Sequence, residues 1–311
     1  MTTMTETVIR DQFPFWRAAL AMEVPVLRAG VIVVVGCGTS YYLAQSLACV
    51  FNAAGQPAIA VPGAEWARRP ERYFPDIGEF LVLGLSRSGT TTETVQAVQA
   101  SRARGWRTFG LSCEAGSTIL HAAEAGLHVP TDRREGVVMS VSASLMLLVG
   151  LRMAGVVVPE AVVTQAQAAL AAVAAVGPLL QGRSHFVYLG AGANYGIATE
   201  GGLKLQEMSI SYSQSFHPME YRHGPISLID DRSLVVMIYS PETTDEEAKV
   251  VADVQAKGAK VIGFGGPGDI SIAAGGLACL PALQMLGEMV ALQKGINSEH
   301  PRHLTKVVVL A

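Results

Sequence analysis

The chain has 311 residues, half of them hydrophobic and only 16% charged, with a formal net charge of −3 at neutral pH. That length holds two well-buried domains. The apolar content excludes disorder, and the lack of a basic excess or basic run leaves no footprint for nucleic acid.

In chain order, the first 22 residues read as a helix or arm packed outside the first sheet. They hold no apolar signal core, and the apolar stretch 145–158 is broken by Arg152 and too short to span a bilayer. A cytoplasmic protein with no membrane partner is therefore expected. Residues 31–35 form a β-branched run that ends in a glycine turn, and apolar residues recur at helical spacing over 41–52, which predicts strand, turn and helix. Strands follow at 58–61 and 80–85, a helix at 91–104, and short strands at 108–112 and 127–129. An alanine-rich helix over 160–176 precedes a second series: strand 186–189, helix 195–207, strand 234–239, helix 245–257 and strand 260–263. Strands alternating with helices predict an α/β fold, with a doubly wound, mostly parallel sheet in each half.

The halves are copies. Val34 to Tyr41 realigns with Tyr188 to Tyr195, and Leu81 to Thr92 with Val235 to Glu246, both at an offset of 190 − 36 = 154 residues. The expected domains are 1–155, with the N-terminal arm, and 156–311, with the C-terminal tail. One loop has diverged between them. Ser86-Arg87-Ser88-Gly89-Thr90-Thr91 faces Ser240-Pro241-Glu242-Thr243-Thr244-Asp245. The first offers hydroxyls, a glycine and the N–H groups of the helix it opens, which suits a phosphate monoester; the second is built to repel an anion. Any one of these hydroxyls is also a ready helix N-cap, but four around one glycine exceed what a cap needs. In an open parallel sheet this loop and Gly36-Cys37-Gly38-Thr39-Ser40 would face one crevice beyond the strand ends. Tyr41 stands where a dinucleotide fingerprint needs its third glycine.

In the second half Glu200, Lys204 and Glu207 share a helix face, as a surface ion-pair ladder or as a functional cluster. His223 sits at a Gly-Pro turn and Lys306 in the tail, positions where such residues are ordinarily just solvated. The four cysteines, Cys37, Cys49, Cys113 and Cys279, have neither CxxC spacing nor a neighbouring histidine, so no metal or disulfide is expected, and nothing calls for a cofactor.

Taken together, the paired glycine turns, the Ser86 to Thr91 loop, the EGxLKLxE pattern from Glu200 to Glu207, the Arg222-His223-Gly224-Pro225 turn and the His300 to Lys306 tail resemble a double sugar-isomerase (SIS) domain. The likeness is strongest to the isomerase half of glutamine–fructose-6-phosphate aminotransferases and to stand-alone SIS-type glucosamine-6-phosphate deaminases. It implies that Thr39, Ser40, Ser86, Arg87, Ser88, Thr91 and Val137 contact a phosphosugar, with Arg87 standing where those aminotransferases usually carry glutamine. It further implies that Glu207 moves a proton between C1 and C2, and that Lys204 stabilises the developing oxyanion. His223 would open the sugar ring from the partner subunit of a homodimer, and Lys306 would form or orient a Schiff base. The segment from Arg134 to Ser140 resembles the family's substrate loop, with Arg134 and Val141 departing from its usual residues. Residue 2 is threonine, and only about thirty residues precede the first strand, so no glutaminase domain is expected.

These features predict an enzyme that converts an aminosugar phosphate, glucosamine 6-phosphate first, to fructose 6-phosphate and ammonia, or runs the reverse with free ammonia. A deglycase of phosphorylated fructosamines is the alternative with the same carbon chemistry, and room beside C2 separates the two. A phosphosugar sensor without turnover is the third reading. The retention of Glu207, His223 and Lys306 argues against it.

Overall fold

The computed structural model describes residues 2–74 and 78–309. In chain order the elements are α1 (Met4–Arg10), α2 (Phe13–Ala21), β1 (Val31–Gly36), α3 (Thr39–Ala53), β2 (Ala58–Pro62), α4 (Gly63–Arg68), β3 (Phe80–Ser86) and α5 (Thr92–Ala103). Next come β4 (Arg107–Ser112), α6 (Thr118–Ala122), β5 (Ala125–His128), α7 (Val141–Met153), α8 (Ala161–Ala172), α9 (Gly177–Leu180), β6 (His185–Gly190) and α10 (Ala193–Ser209). The chain ends through β7 (Ser213–Phe216), α11 (Pro218–Tyr221), β8 (Ser233–Ile238), α12 (Thr244–Gln255), β9 (Lys260–Phe264), β10 (Ile270–Ile272) and α13 (Leu280–Gln293).

Two all-parallel, five-stranded sheets result, ordered β2-β1-β3-β4-β5 and β10-β9-β8-β6-β7. Read from its other edge, the second runs β7-β6-β8-β9-β10, so the copies share one topology. The central strands are buried along nearly their whole length, β3 completely. Helices cover both faces of each sheet, which is why these strands read as unbroken apolar runs and not as alternation. Val33, Val34 and Val35 are wholly inaccessible, each worth about 1.5–3 kcal/mol of burial.

The repeat extends to single residues. Gly38 and Gly192, 154 apart, open α3 and α10 with φ/ψ of 54°/−127° and 55°/−127°, a region closed to most side chains. Two residues earlier in each copy, a Cβ on Gly36 would lie 2.6 Å from the Ser40 carbonyl carbon, and one on Gly190 2.5 Å from the Asn194 oxygen. Both turns need glycine because helix backbone passes directly over them.

The chain divides into two compact units, and the termini depart from the expected boundaries. One unit is Pro14–Pro159 with Thr305–Ala311; the other is Met1–Phe13 with Glu160–Leu304. The N-terminal arm was expected on the first sheet. Instead α1 packs on α13, where Thr3 Oγ1 donates to Glu288 Oε1 (2.6 Å) and Gln12 Nε2 to Gln284 Oε1 (3.1 Å). Val8 and Ile9 are buried, giving α1 an apolar side to set against α13. The tail likewise belongs with the first sheet and not with the second. Two further strands, β7 and β10, escape the sequence pattern: β7 is the polar, half-buried Ser-Gln-Ser-Phe, and β10 has only three residues. Helical runs over Ala161–Leu180 and Gly276–Gln293 are long and apolar enough to cross a membrane, more so than the 145–158 stretch singled out from sequence. The Gly276–Gln293 run is 78% buried, which accounts for its composition as core.

Candidate active site

In the first unit the strand order reverses between β1 and β3, the switch point where open α/β sheets bind ligands. Thr39 and Ser40, in the first turn of α3, and the Ser86 to Thr91 loop between β3 and α5 both stand at this end. The hydroxyls fold the loop and do not cap the helix. Thr91 occupies the N-cap position without a side-chain capping bond. Ser86 Oγ accepts the Gly89 N–H (3.0 Å) and donates to Thr91 Oγ1 (3.4 Å), while Ser88 Oγ accepts from Thr90 N–H (3.2 Å) and Oγ1 (3.1 Å). Gly89 has φ 63°, and a Cβ there would lie 2.1 Å from Ser117 Oγ, so the loop is seated against Ser117 and Ser112. The result is a hydroxyl-lined turn at a helix N-terminus, the arrangement that suits a phosphate.

Arg87 was expected among the substrate contacts. Its guanidinium is already occupied elsewhere: Nη1 donates to the Gly136 carbonyl (3.1 Å), and Nη2 to the carbonyls of Val137 (3.0 Å) and Lys306 (2.6 Å). Val137, also expected to touch substrate, therefore has its carbonyl engaged by Arg87. Lys306, in the tail, donates from Nζ to the Glu135 carbonyl (3.0 Å).

Glu135 escaped the sequence reading. It is 3% exposed, and its Oε1 accepts the N–H groups of Ser140 (2.7 Å) and Ser142 (3.0 Å), capping α7 from five residues upstream. Its Oε2 lies 3.7 Å from Arg87 Nη1 without a hydrogen bond. Arg134 turns outward and pairs with Asp132 (2.6 Å), holding that carboxyl below the usual range. Between the ends of β4 and β5 and this segment lies a cavity of about 290 Å3, whose walls include Arg87, Cys113, Thr131, Glu135 and Lys306.

In the second unit α10 carries the charged cluster. Lys204 Nζ lies 2.5 Å from Glu207 Oε2 and 3.4 Å from Glu200 Oε1. A surface ladder would be solvated; here Lys204 and Glu200 are wholly inaccessible, and the Glu207 side chain is 20% exposed. Close helix packing causes this burial. Gly287 of α13 admits the α10 backbone so tightly that a Cβ would stand 2.9 Å from the Lys204 carbonyl oxygen. Burial alone would depress the Lys204 pKa, but the carboxylates of Glu200 and Glu207 outweigh it and raise it. Lys204 is thus a fixed ammonium beside a partly open carboxylate. His223 is exposed in the turn after α11, next to Gly224 with φ 131°.

The matching loop of the second copy is filled from within. Glu247 is 1% exposed; its Oε2 accepts the Ser240 N–H (2.8 Å) and its Oε1 the Thr243 hydroxyl (3.0 Å). Helix α12 begins at Thr244, two residues earlier than α5 does once the offset is removed, and uses up the cradle. A carboxylate thus sits where the first copy presents hydroxyls to solvent. Its signal in the sequence was the pairing of Glu247 with Glu93 at the same 154-residue offset. Glu247→Ala should lower stability by about 1–3 kcal/mol by stranding the Ser240 N–H, read from urea unfolding.

The SIS domain family model matches residues 27–154 and 179–280. The glutamine–fructose-6-phosphate aminotransferase (isomerizing) of Pyrobaculum aerophilum is 28% identical over 92% of this chain and 52% of its own length, and that of Aquifex aeolicus 28% over 90% and 52%. The chain thus spans about half the length of these curated relatives. Among solved structures, glucosamine-6-phosphate deaminase from Thermotoga maritima superposes with a TM-score of 0.88 at 29% identity, covering 99% of this chain and 100% of that one. The C-terminal domain of the Francisella tularensis aminotransferase shares the fold, with a TM-score of 0.83 at 18% identity over 96% and 99% of the two chains.

Proposed function

We propose, from the premise that the chain belongs to the SIS domain family, that this phosphosugar isomerase-class enzyme acts on glucosamine 6-phosphate and yields fructose 6-phosphate and ammonia. The observation that carries this reading is the division of labour between the copies. A hydroxyl-lined loop at the β1/β3 switch point suits the phosphate, and a buried Lys204 ammonium beside the Glu207 carboxylate suits proton transfer. The whole-length likeness to a glucosamine-6-phosphate deaminase supports the choice of sugar.

In this scheme Thr39, Ser40, Ser86, Ser88 and Thr91 hold the phosphate and sugar hydroxyls. His223, reaching in from the partner of a homodimer, opens the ring. Glu207 takes the proton from C2 of the open-chain aldehyde and returns it to C1, leaving an imine at C2. Lys204, charged and buried, stabilises the oxyanion formed on the way. It is held as an ammonium and is unsuited to attack a carbonyl, so Lys306 is the amine that displaces ammonia at C2; water then releases fructose 6-phosphate. The reading places the enzyme in the cytoplasm with its phosphorylated substrate.

A second reading, cleavage of phosphorylated fructosamines, rests on the cavity of about 290 Å3 that Lys306 borders, which is roomier than an ammonia leaving group requires. One experiment tests both. Purified protein is offered glucosamine 6-phosphate, with ammonia and fructose 6-phosphate measured, and a panel of fructosamine 6-phosphates, with free amine and glucose 6-phosphate measured. Release of both products from the first is the expected result; turnover of the fructosamines alone selects the second reading, and no turnover of any of them ends the enzyme proposal.

A further inference from the structure

Arg87 connects three parts of the first unit that are far apart in sequence. Its own carbonyl accepts the Cys113 N–H (3.0 Å) and the Ser112 hydroxyl (3.3 Å), which fixes its backbone to the end of β4. From that anchor the guanidinium, 8% exposed, reaches the carbonyls of Gly136 and Val137 on one side and of Lys306 on the other. Its charge also faces the buried Glu135 Oε2 at 3.7 Å. Among the described residues of the tail, Lys306 donates to the Glu135 carbonyl, Thr305 Oγ1 donates to the Val307 carbonyl within the tail, and Val308 and Val309 are exposed.

We infer that Arg87 is a positioning residue, a strut that clamps the C-terminal tail onto the 135–137 segment and so sets where the Lys306 amine stands, and that it is not a phosphate ligand. The planar, charged fork is what the task requires. N–H donors in fixed directions serve three carbonyls while the charge faces a carboxylate, at positions that a shorter, neutral amide side chain cannot span. Carbonyls held by a charged donor in a nearly dry setting are held firmly.

The test has an arm that needs no catalysis. Arg87→Gln and Arg87→Lys are compared with the native chain by the rate at which carboxypeptidase removes Lys306 and the residues after it. Removal should be at least about tenfold faster in Arg87→Gln, the shift in opening equilibrium expected when a charge-assisted hydrogen bond is lost, and partly restored in Arg87→Lys. Binding of inorganic phosphate should stay unchanged in both. The double variant Arg87→Gln/Glu135→Gln leaves no stranded charge and should also release the tail. The kinetic arm rests on the function proposed above: kcat for the phosphosugar should fall with KM little altered. Native-rate trimming in Arg87→Gln, a tail held in the double variant, or loss of phosphate binding in Arg87→Gln or Arg87→Lys would each overturn the strut. Because trimming and phosphate binding are read without turnover, an inactive protein bears on the proposed function alone.

Discussion

Glu207→Gln is expected to lower turnover of glucosamine 6-phosphate at least about a hundredfold, the usual cost of losing a general base. The substitution is close to isosteric, and the amide oxygen can still accept from Lys204, 2.5 Å away in the native chain. What it removes is the capacity to take up a proton. Turnover should therefore collapse while the unfolding transition and the KM for sugar phosphate stay near their native values. Coupled ammonia-release kinetics beside thermal unfolding separate the two effects. A folded variant with near-native turnover would take Glu207 out of the proton-transfer role.

Lys204→Met should produce the largest loss of stability of any single substitution in α10. The methionine fills a similar volume but leaves Glu200, wholly inaccessible, and Glu207 without their shared cation. Removing one partner of a buried ion pair costs about 3–5 kcal/mol, most of it the penalty of a stranded charge. Adding Glu200→Gln should return a good part of that loss, whereas a double variant no more stable than Lys204→Met would show that packing around Gly287 governs instead. The same pair sets an alkaline limit. The folded-state pKa of Lys204 is raised above the ordinary lysine value of 10.5, so its stabilisation is complete below that value and is lost as pH climbs through the higher folded-state pKa. Urea unfolding from neutral to strongly alkaline pH should show a steeper decline in the native chain than in the Lys204→Met/Glu200→Gln variant, which keeps only the decline set by buried groups such as Cys113, Cys279 and Tyr188.

Much of this was legible before any coordinates. The 154-residue repeat was visible because a parallel sheet buried on both faces imposes continuous apolar runs, and because glycine turns under a passing helix admit no substitute. Gly36 and Gly190 carry that constraint, and Gly38 and Gly192 the matching one of positive φ. The hydroxyl loop and the shared face of Glu200, Lys204 and Glu207 follow from local spacing alone. Edge strand β7 was missed because Ser-Gln-Ser-Phe is polar and half-buried, and β10 because its three residues follow a glycine-rich turn. Glu135 and Glu247 were missed because a carboxylate that accepts from groups four to seven residues away has no pattern that separates it from one in solvent.

By itself, then, the sequence determined the α/β class, the duplication, and which copy keeps a loop fit for an anion, since each depends on neighbours along the chain. Tertiary structure decided what long-range packing controls. It exchanged the termini between the units, because α1 packs its apolar side on α13. It turned a helix-face ladder into a buried ammonium, because Gly287 lets two helices approach closely enough to exclude water from Lys204. It also turned the Arg87 guanidinium to the 136–137 segment and the tail, because the carbonyls that satisfy it come from segments 49 and 219 residues away.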